Sequence, residues 1–228
     1  MVSPPSSARD AAMTRTNIAR AAAVVLGLVA GTGPALAHPH VWVRTRAEIV
    51  LDGGRLAALR QSWTFDPDYS AFAVINLDSK RDGVPDPDRL AAMARERIEA
   101  MAETAFFTAV KLNGRPVAFG PASEPRAEYR DGRLTLHFTL TPQAPTAAVR
   151  ALVLGNDDPD FYVSFAMAPG PEAVRLAGAP ACVLKVSRPA KDAQEGEQLI
   201  PDEVATSRPG AASATAADYA GRVLVACP

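Results

Sequence analysis

The sequence is short of most of what announces chemistry. It has two cysteines, three histidines and 6% aromatic residues, and its net charge is only −1. That near-neutral balance carries no electrostatic footprint for nucleic acid. No G-x-S-x-G is present, and no histidine stands beside a serine in a recognisable motif, so a hydrolase reading finds little support. G-x-G-x-x-G and P-loop patterns are missing too. Beyond residue 37 no apolar run is long enough to span a bilayer.

The amino end reads as a leader. Arg15 and Arg20 precede the apolar stretch Ala21 to Ala30, and the Ala-Leu-Ala of Ala35 to Ala37 resembles a cleavage site. Asp10 is out of place in a leader, which makes Met13 a candidate true start. Residues 1–37 are therefore set aside as a signal peptide, and the expected location is the periplasm. The leader holds three Arg and one Asp, so its removal leaves the mature part near −3. In an oxidising compartment Cys182 and Cys227 point to a disulfide rather than to thiolate metal ligands.

Behind the cut stands His38-Pro39-His40-Val41-Trp42. A free α-amine and the ring Nδ1 of His38 can close a chelate on one metal ion, and His40 can add a second imidazole. Two imidazoles and an amine suit Cu(II), Ni(II), Co(II) or Zn(II). Pro39 has no amide hydrogen, which removes the amide-coordinating motif of other free N-termini. The geometry is that of a histidine brace. The remaining histidine, His137, lies in Leu134 to Leu140 on the face opposite Leu134, Leu136, Phe138 and Leu140. It is an optional third ligand, or an ordinary strand histidine.

Apolar residues alternate in Val41 to Leu51 and again in Arg55 to Phe65, around Asp52-Gly53-Gly54, which predicts a hairpin. Asp66-Pro67-Asp68 opens a short helix through Leu77. Asp86-Pro87-Asp88 repeats the grammar, and Leu90, Ala94, Ile98, Met101 and Ala105 continue at helical spacing. The loop between these helices resembles an EF-hand loop at Asp78, Asp82, Gly83 and Asp86. Lys80 and Arg89 occupy two places where carboxylates belong, which argues against Ca²⁺.

Strand character then returns. Asn113-Gly114 and Asp131-Gly132 are hairpin turns, and further strands are expected at Ala147 to Leu154, Phe161 to Phe165 and Cys182 to Ser187. Arg188 to Ala217 is rich in Pro, Ala, Ser and Glu and reads as a linker. The expected fold is mainly β (α+β): an antiparallel β-sandwich over 38–188 with an inserted helix-loop-helix hairpin at about 66–105. A flexible linker over 189–217 follows. A terminal strand within 218–228 is then tied back by the disulfide.

Several of these stretches together resemble one family: His38-Pro39-His40-Val41-Trp42, Trp63-Thr64-Phe65-Asp66, Tyr69-Ser70-Ala71-Phe72, the loop ending Asp82-Gly83-Val84, and Gly132 to Phe138. It is the exported bacterial family catalogued as domain of unknown function 1007. The resemblance runs from His38 to about Val186. Its members are often labelled periplasmic components of an ABC-type transport system and are often encoded beside nickel/cobalt permeases. The resemblance implies transition-metal handling, with His38 and His40 as ligands and a membrane permease as partner. Two other classes stay open: a copper oxidoreductase built on the brace, and a partner-binding accessory subunit with no metal of its own. A two-lobed solute-binding protein has parallel sheets, and this sequence does not read that way.

Overall fold

The computed structural model describes residues 40–160, 162–187 and 221–228. These belong to one compact unit, His38–Pro228. Residues 1–39, Phe161 and residues 188–220, with them the expected signal peptide, His38 and the whole Pro/Ala-rich stretch, lie outside the described residues.

The protein is mainly β, with eleven strands in two sheets among the described residues. The first sheet is built on β1 (Val41–Asp52) and β2 (Arg55–Phe65), paired antiparallel from Val43↔Phe65 to Asp52↔Arg55. β1 alternates strictly between buried and outward residues, and β2 does so from Leu59 to Phe65 after a break at Ala57–Ala58, the period-two pattern of a half-buried strand. β5 (Ser123–Arg130) and β6 (Arg133–Leu140) extend this sheet beside β2. The second sheet runs β10 (Val183–Ser187), β11 (Arg222–Ala226), β7 (Ala151–Asn156), β3 (Thr108–Leu112), β4 (Arg115–Pro116). Asn113 and Gly114 take φ of 50° and 82°, the two positive values of a type I′ turn.

Two pairings depart from the antiparallel expectation. β8 (Val163–Met167) and β9 (Val174–Ala177) both run parallel to β1, β8 along its first half and β9 along its second. Parallel neighbours arrive by a long crossover, which local sequence patterning does not encode. β1 is thus flanked on both sides and forms the centre of the sheet.

Two helices, α1 (Pro67–Val74) and α2 (Pro87–Ala100), stand between β2 and β3 in the chain. α1 stops short of Leu77, closing with a tight turn in which the Leu77 amide donates to the Val74 carbonyl at 2.9 Å. α2 stops before Ala105 and passes into a 3-10 turn over Met101–Phe107. Ala105, Phe106 and Phe107 all have positive φ there, so the helical spacing that reaches Ala105 does not continue the helix. Beyond the Asn113-Gly114 turn the return strand is short: β4 covers only Arg115–Pro116, and Phe119 makes a single bridge to Pro142.

One core joins both sheets and α2: Ile49, Leu59 and Trp63 from the first sheet, Leu154 and Val225 from the second, and Ile98. Trp63 stands edge-on to Phe138 and Phe165, at 5.1 and 4.9 Å between centroids. A buried polar chain also bridges the sheets. Trp63 Nε1 donates to Gln61 Oε1 at 3.1 Å, and Gln61 Nε2 donates to Thr108 Oγ1 at 2.7 Å. Thr108 in turn donates to the Phe106 carbonyl at 2.6 Å. The core's interior polar atoms along this chain are satisfied, as burial requires.

Cys182 and Cys227 form a disulfide. It closes the end of β10 against the end of β11, which itself lies between β10 and β7.

Candidate metal centre

His40 sits at the mouth of the first sheet, immediately before β1, and is exposed. Its own amide and that of Val41 both donate to the Tyr162 carbonyl, at 2.9 and 3.2 Å. The imidazole stands beside the Tyr162 ring, 5.0 Å between centroids and tilted by 35°. The backbone at His40 is therefore fixed by the turn that leads into β8.

Two buried aspartates build this end of the sheet. Asp66, the N-cap of α1, accepts from the Tyr69 amide at 2.8 Å through Oδ1. Its Oδ2 accepts from the Trp42 amide at 2.9 Å, and its own amide donates to the Trp42 carbonyl at 2.9 Å. One carboxylate thus starts a helix and holds β1 two residues past His40. Asp158 Oδ2 accepts from the Tyr162 and Val163 amides at 3.0 and 2.8 Å, and its Oδ1 accepts from the Asp160 amide at 3.0 Å. Asp66 and Asp158 are 7% and 4% exposed. Burial of an ion is tolerated when amides saturate it this way. The sequence marks Asp66 as a cap and Asp158 as part of a Pro/Asp turn. Their convergence near His40 has no local signal, because the partners lie far apart in the chain.

Among the described residues no three His, Cys, Asp or Glu side chains gather at one point. His40 contributes one imidazole, and the other proposed donors belong to His38, outside the described residues.

His137 does not join His40. It pairs across the sheet with Ser62, and Ser62 pairs with Arg46. His40 lies six residues before Arg46, which at about 3.3 Å per residue is roughly 20 Å along the strand. One ion cannot bridge that gap, so His137 is corrected from optional ligand to sheet-face residue. Its Nδ1 lies 2.8 Å from Ser62 Oγ, and its Nε2 lies 3.6 Å from Glu128 Oε1, too long for a hydrogen bond. Burial and the Arg126 charge push its pKa below the usual histidine value, with Glu128 opposing. An open groove of about 820 Å³ surrounds it, with Arg46, Arg60, Arg126 and Arg175 among the lining residues.

The acidic loop spends its carboxylates on itself. Asp78 accepts from the Asp82 and Gly83 amides at 3.3 and 2.7 Å, and Asp82 accepts from the Val84 amide at 3.0 Å. Asp86 is the N-cap residue of α2, but its side chain does not cap it. It accepts from the Ser79 amide at 3.2 Å instead and meets Arg89 at 3.4 Å. The Ser79 contacts hold its carboxyl below the usual range, with Arg89 and Lys80 adding to the effect.

A mainly β, disulfide-bonded domain with a histidine fixed at the mouth of its central strand is what the chain builds. Among the described residues no helix is long and apolar enough to cross a membrane. A family model described as "Protein of unknown function (DUF1007)" matches residues 23–227, and the chain belongs to that family. No curated protein matches it.

Proposed function

We propose that this is an exported, periplasmic protein that binds one divalent transition-metal ion (Ni, Co, Zn or Cu) through His38 and His40 and supports metal transport or homeostasis beside a membrane permease. In this reading residues 1–37 are a cleaved signal peptide. The body is a largely antiparallel sandwich with an inserted helical hairpin, and 189–217 is a linker. The observation that carries the reading is the anchoring of His40. Its backbone is fastened to the Tyr162 carbonyl and its ring is exposed at the open end of β1. A chelate formed just ahead of it sits on rigid structure, which lowers the ordering cost of binding. The disulfide supports an oxidising compartment.

Native mass spectrometry on protein from periplasm, with Zn, Ni, Co and Cu added in turn, tests this directly. The expected species begins at His38, holds one ion, loses it in His38→Ala/His40→Ala and keeps it in His137→Ala. A chain starting elsewhere, or one that stays metal-free at micromolar excess, sinks the reading. Oxygen turnover with copper bound would move it to an oxidoreductase.

A second reading, an accessory subunit that docks on a permease without its own metal, draws on the helices. Phe72 and Ile75 are about 70% exposed at the end of α1, and Val84 is exposed in the loop that follows. Metal transport that survives loss of both His38 and His40, but fails with Phe72→Ser/Ile75→Ser, would favour it.

A further inference from the structure

The outward face of the second sheet is apolar and basic at once. The register aligns Lys185, Leu224, Val153 and Lys111 in one row across β10, β11, β7 and β3. Leu224 and Val153 are 41% and 37% exposed, and Val183 at the start of β10 is 68% exposed. Arg222 joins them. Its side chain lies across Gly155, where a Cβ would stand 2.9 Å from the guanidinium nitrogen. The other outward positions on these four strands are alanine, glycine and serine, so none of the described strand residues brings a carboxylate to the face. The outward face of the first sheet behaves differently. There Arg60 pairs with Glu48 and Arg126 with Glu128, whereas among the described residues Lys111, Lys185 and Arg222 have no ion pair.

Cations left unpaired around aliphatic side chains are drawn to an anionic surface. Lysine stems lie along the apolar patch while their heads reach out to charge. The size of the face then chooses between occupants. Four strands about 4.8 Å apart and about five residues long span roughly 300 Å². A stable protein interface buries about 800 Å² on each partner, well over twice what this face offers, and aromatic side chains are among its usual anchors. No aromatic residue stands at the outward positions of these strands. We propose that this face docks the protein on a bilayer surface rich in anionic phospholipid, Lys111, Lys185 and Arg222 meeting phosphates while Val153, Val183 and Leu224 rest on the headgroup layer. The proposal uses no residue of the metal site and stands or falls apart from it.

Co-sedimentation of the full chain with phosphatidylcholine/phosphatidylglycerol vesicles tests it. The wild type is compared with Lys111→Glu/Lys185→Glu and with Val153→Ser/Leu224→Ser. Any contribution from the apolar leader is common to all three chains, so the difference between them reports the face. Each basic residue near an anionic surface is worth about fivefold in partitioning, so the charge-reversed chain binds at least about 25-fold more weakly. Added salt weakens the wild type toward the variant. The serine pair weakens binding on the same vesicles with little change in salt dependence. Thermal melts confirm that the variants fold. Charge-reversed protein that sediments like the wild type overturns the proposal, and that is also the outcome if the true partner is an acidic protein.

Discussion

Ser62 Oγ and His137 Nδ1 face each other at 2.8 Å across β2 and β6, with Glu128 and Arg126 on the far side of the ring. Burial, then Arg126, lowers the His137 pKa below its unfolded value, so the folded protein favours the neutral ring. The unfolded chain takes up that proton first as pH falls. Stability is therefore full above the unfolded pKa of about 6.5 and declines below it, levelling off once the folded pKa is passed. Urea midpoints across about pH 5 to 8 should show this step. In His137→Gln, which keeps a partner for Ser62, the step should vanish. An unchanged slope in that variant would place its origin elsewhere.

Gln61 links the layers, with Trp63 on one side and Thr108 on the other. In Gln61→Leu the volume is nearly kept but the Trp63 N–H is left buried without an acceptor. The expected cost is about 2 kcal/mol, read as a lower urea midpoint with an unchanged m-value. A cost near zero would mean that the indole finds water.

Much of the fold is legible in the sequence wherever the signal is local. The β1–β2 hairpin, the turns at Asn113-Gly114 and Asp131-Gly132, and the starts of both helices follow from alternation, Gly at positive φ, and Asp-Pro pairs. The parallel placement of β8 and β9 is not legible, because nothing in Val163–Met167 or Val174–Ala177 names β1 as its neighbour. The site divides in the same way. His40 is visible from its motif. The roles of Asp66 and Asp158 are not, since each looks like an ordinary cap or turn residue until the distant amides arrive. His137 is open in the sequence between optional ligand and strand histidine, and the strand register, which sets it far from His40, favours the second.

Gly178, just after β9, lies closely against the backbone of β1. Its φ is +75°, and an added Cβ would stand 1.9 Å from the Leu51 carbonyl oxygen. No rotamer relieves a clash between Cβ and backbone. Gly178→Ala should destabilise by more than about 2 kcal/mol, through strain and displacement of the chain after β9. Gly170→Ala, also at positive φ but with open space around its Cβ, should cost about 1 kcal/mol. Equal costs at the two sites would refute the close approach.

The disulfide spans 45 residues of separation. In the chain-entropy model a loop of that length is worth about 4 kcal/mol. β11 lies between β10 and β7, so its release would also strip Val223 and Val225 from the core. Cys182→Ser/Cys227→Ser should therefore lose about that stability in urea and expose β11 amides to hydrogen exchange ahead of β1. Exchange at the same rate in both strands would show that packing alone retains β11.

Asp66 offers the sharpest separation of structure from metal binding. Its two oxygens hold the Tyr69 and Trp42 amides, and the second of these positions the strand that begins beside His40. Asp66→Ala removes both charge-assisted bonds at a buried site, an expected loss of about 3 kcal/mol. Asp66→Asn keeps one acceptor oxygen and should recover part of it. If a rigid β1 preorganises the chelate, metal affinity should fall in the same order, wild type above Asp66→Asn above Asp66→Ala, while stoichiometry stays at one ion. Stability that falls while affinity stays constant would show that the chelate forms without help from the sheet, and His40 would then be a ligand by sequence position alone.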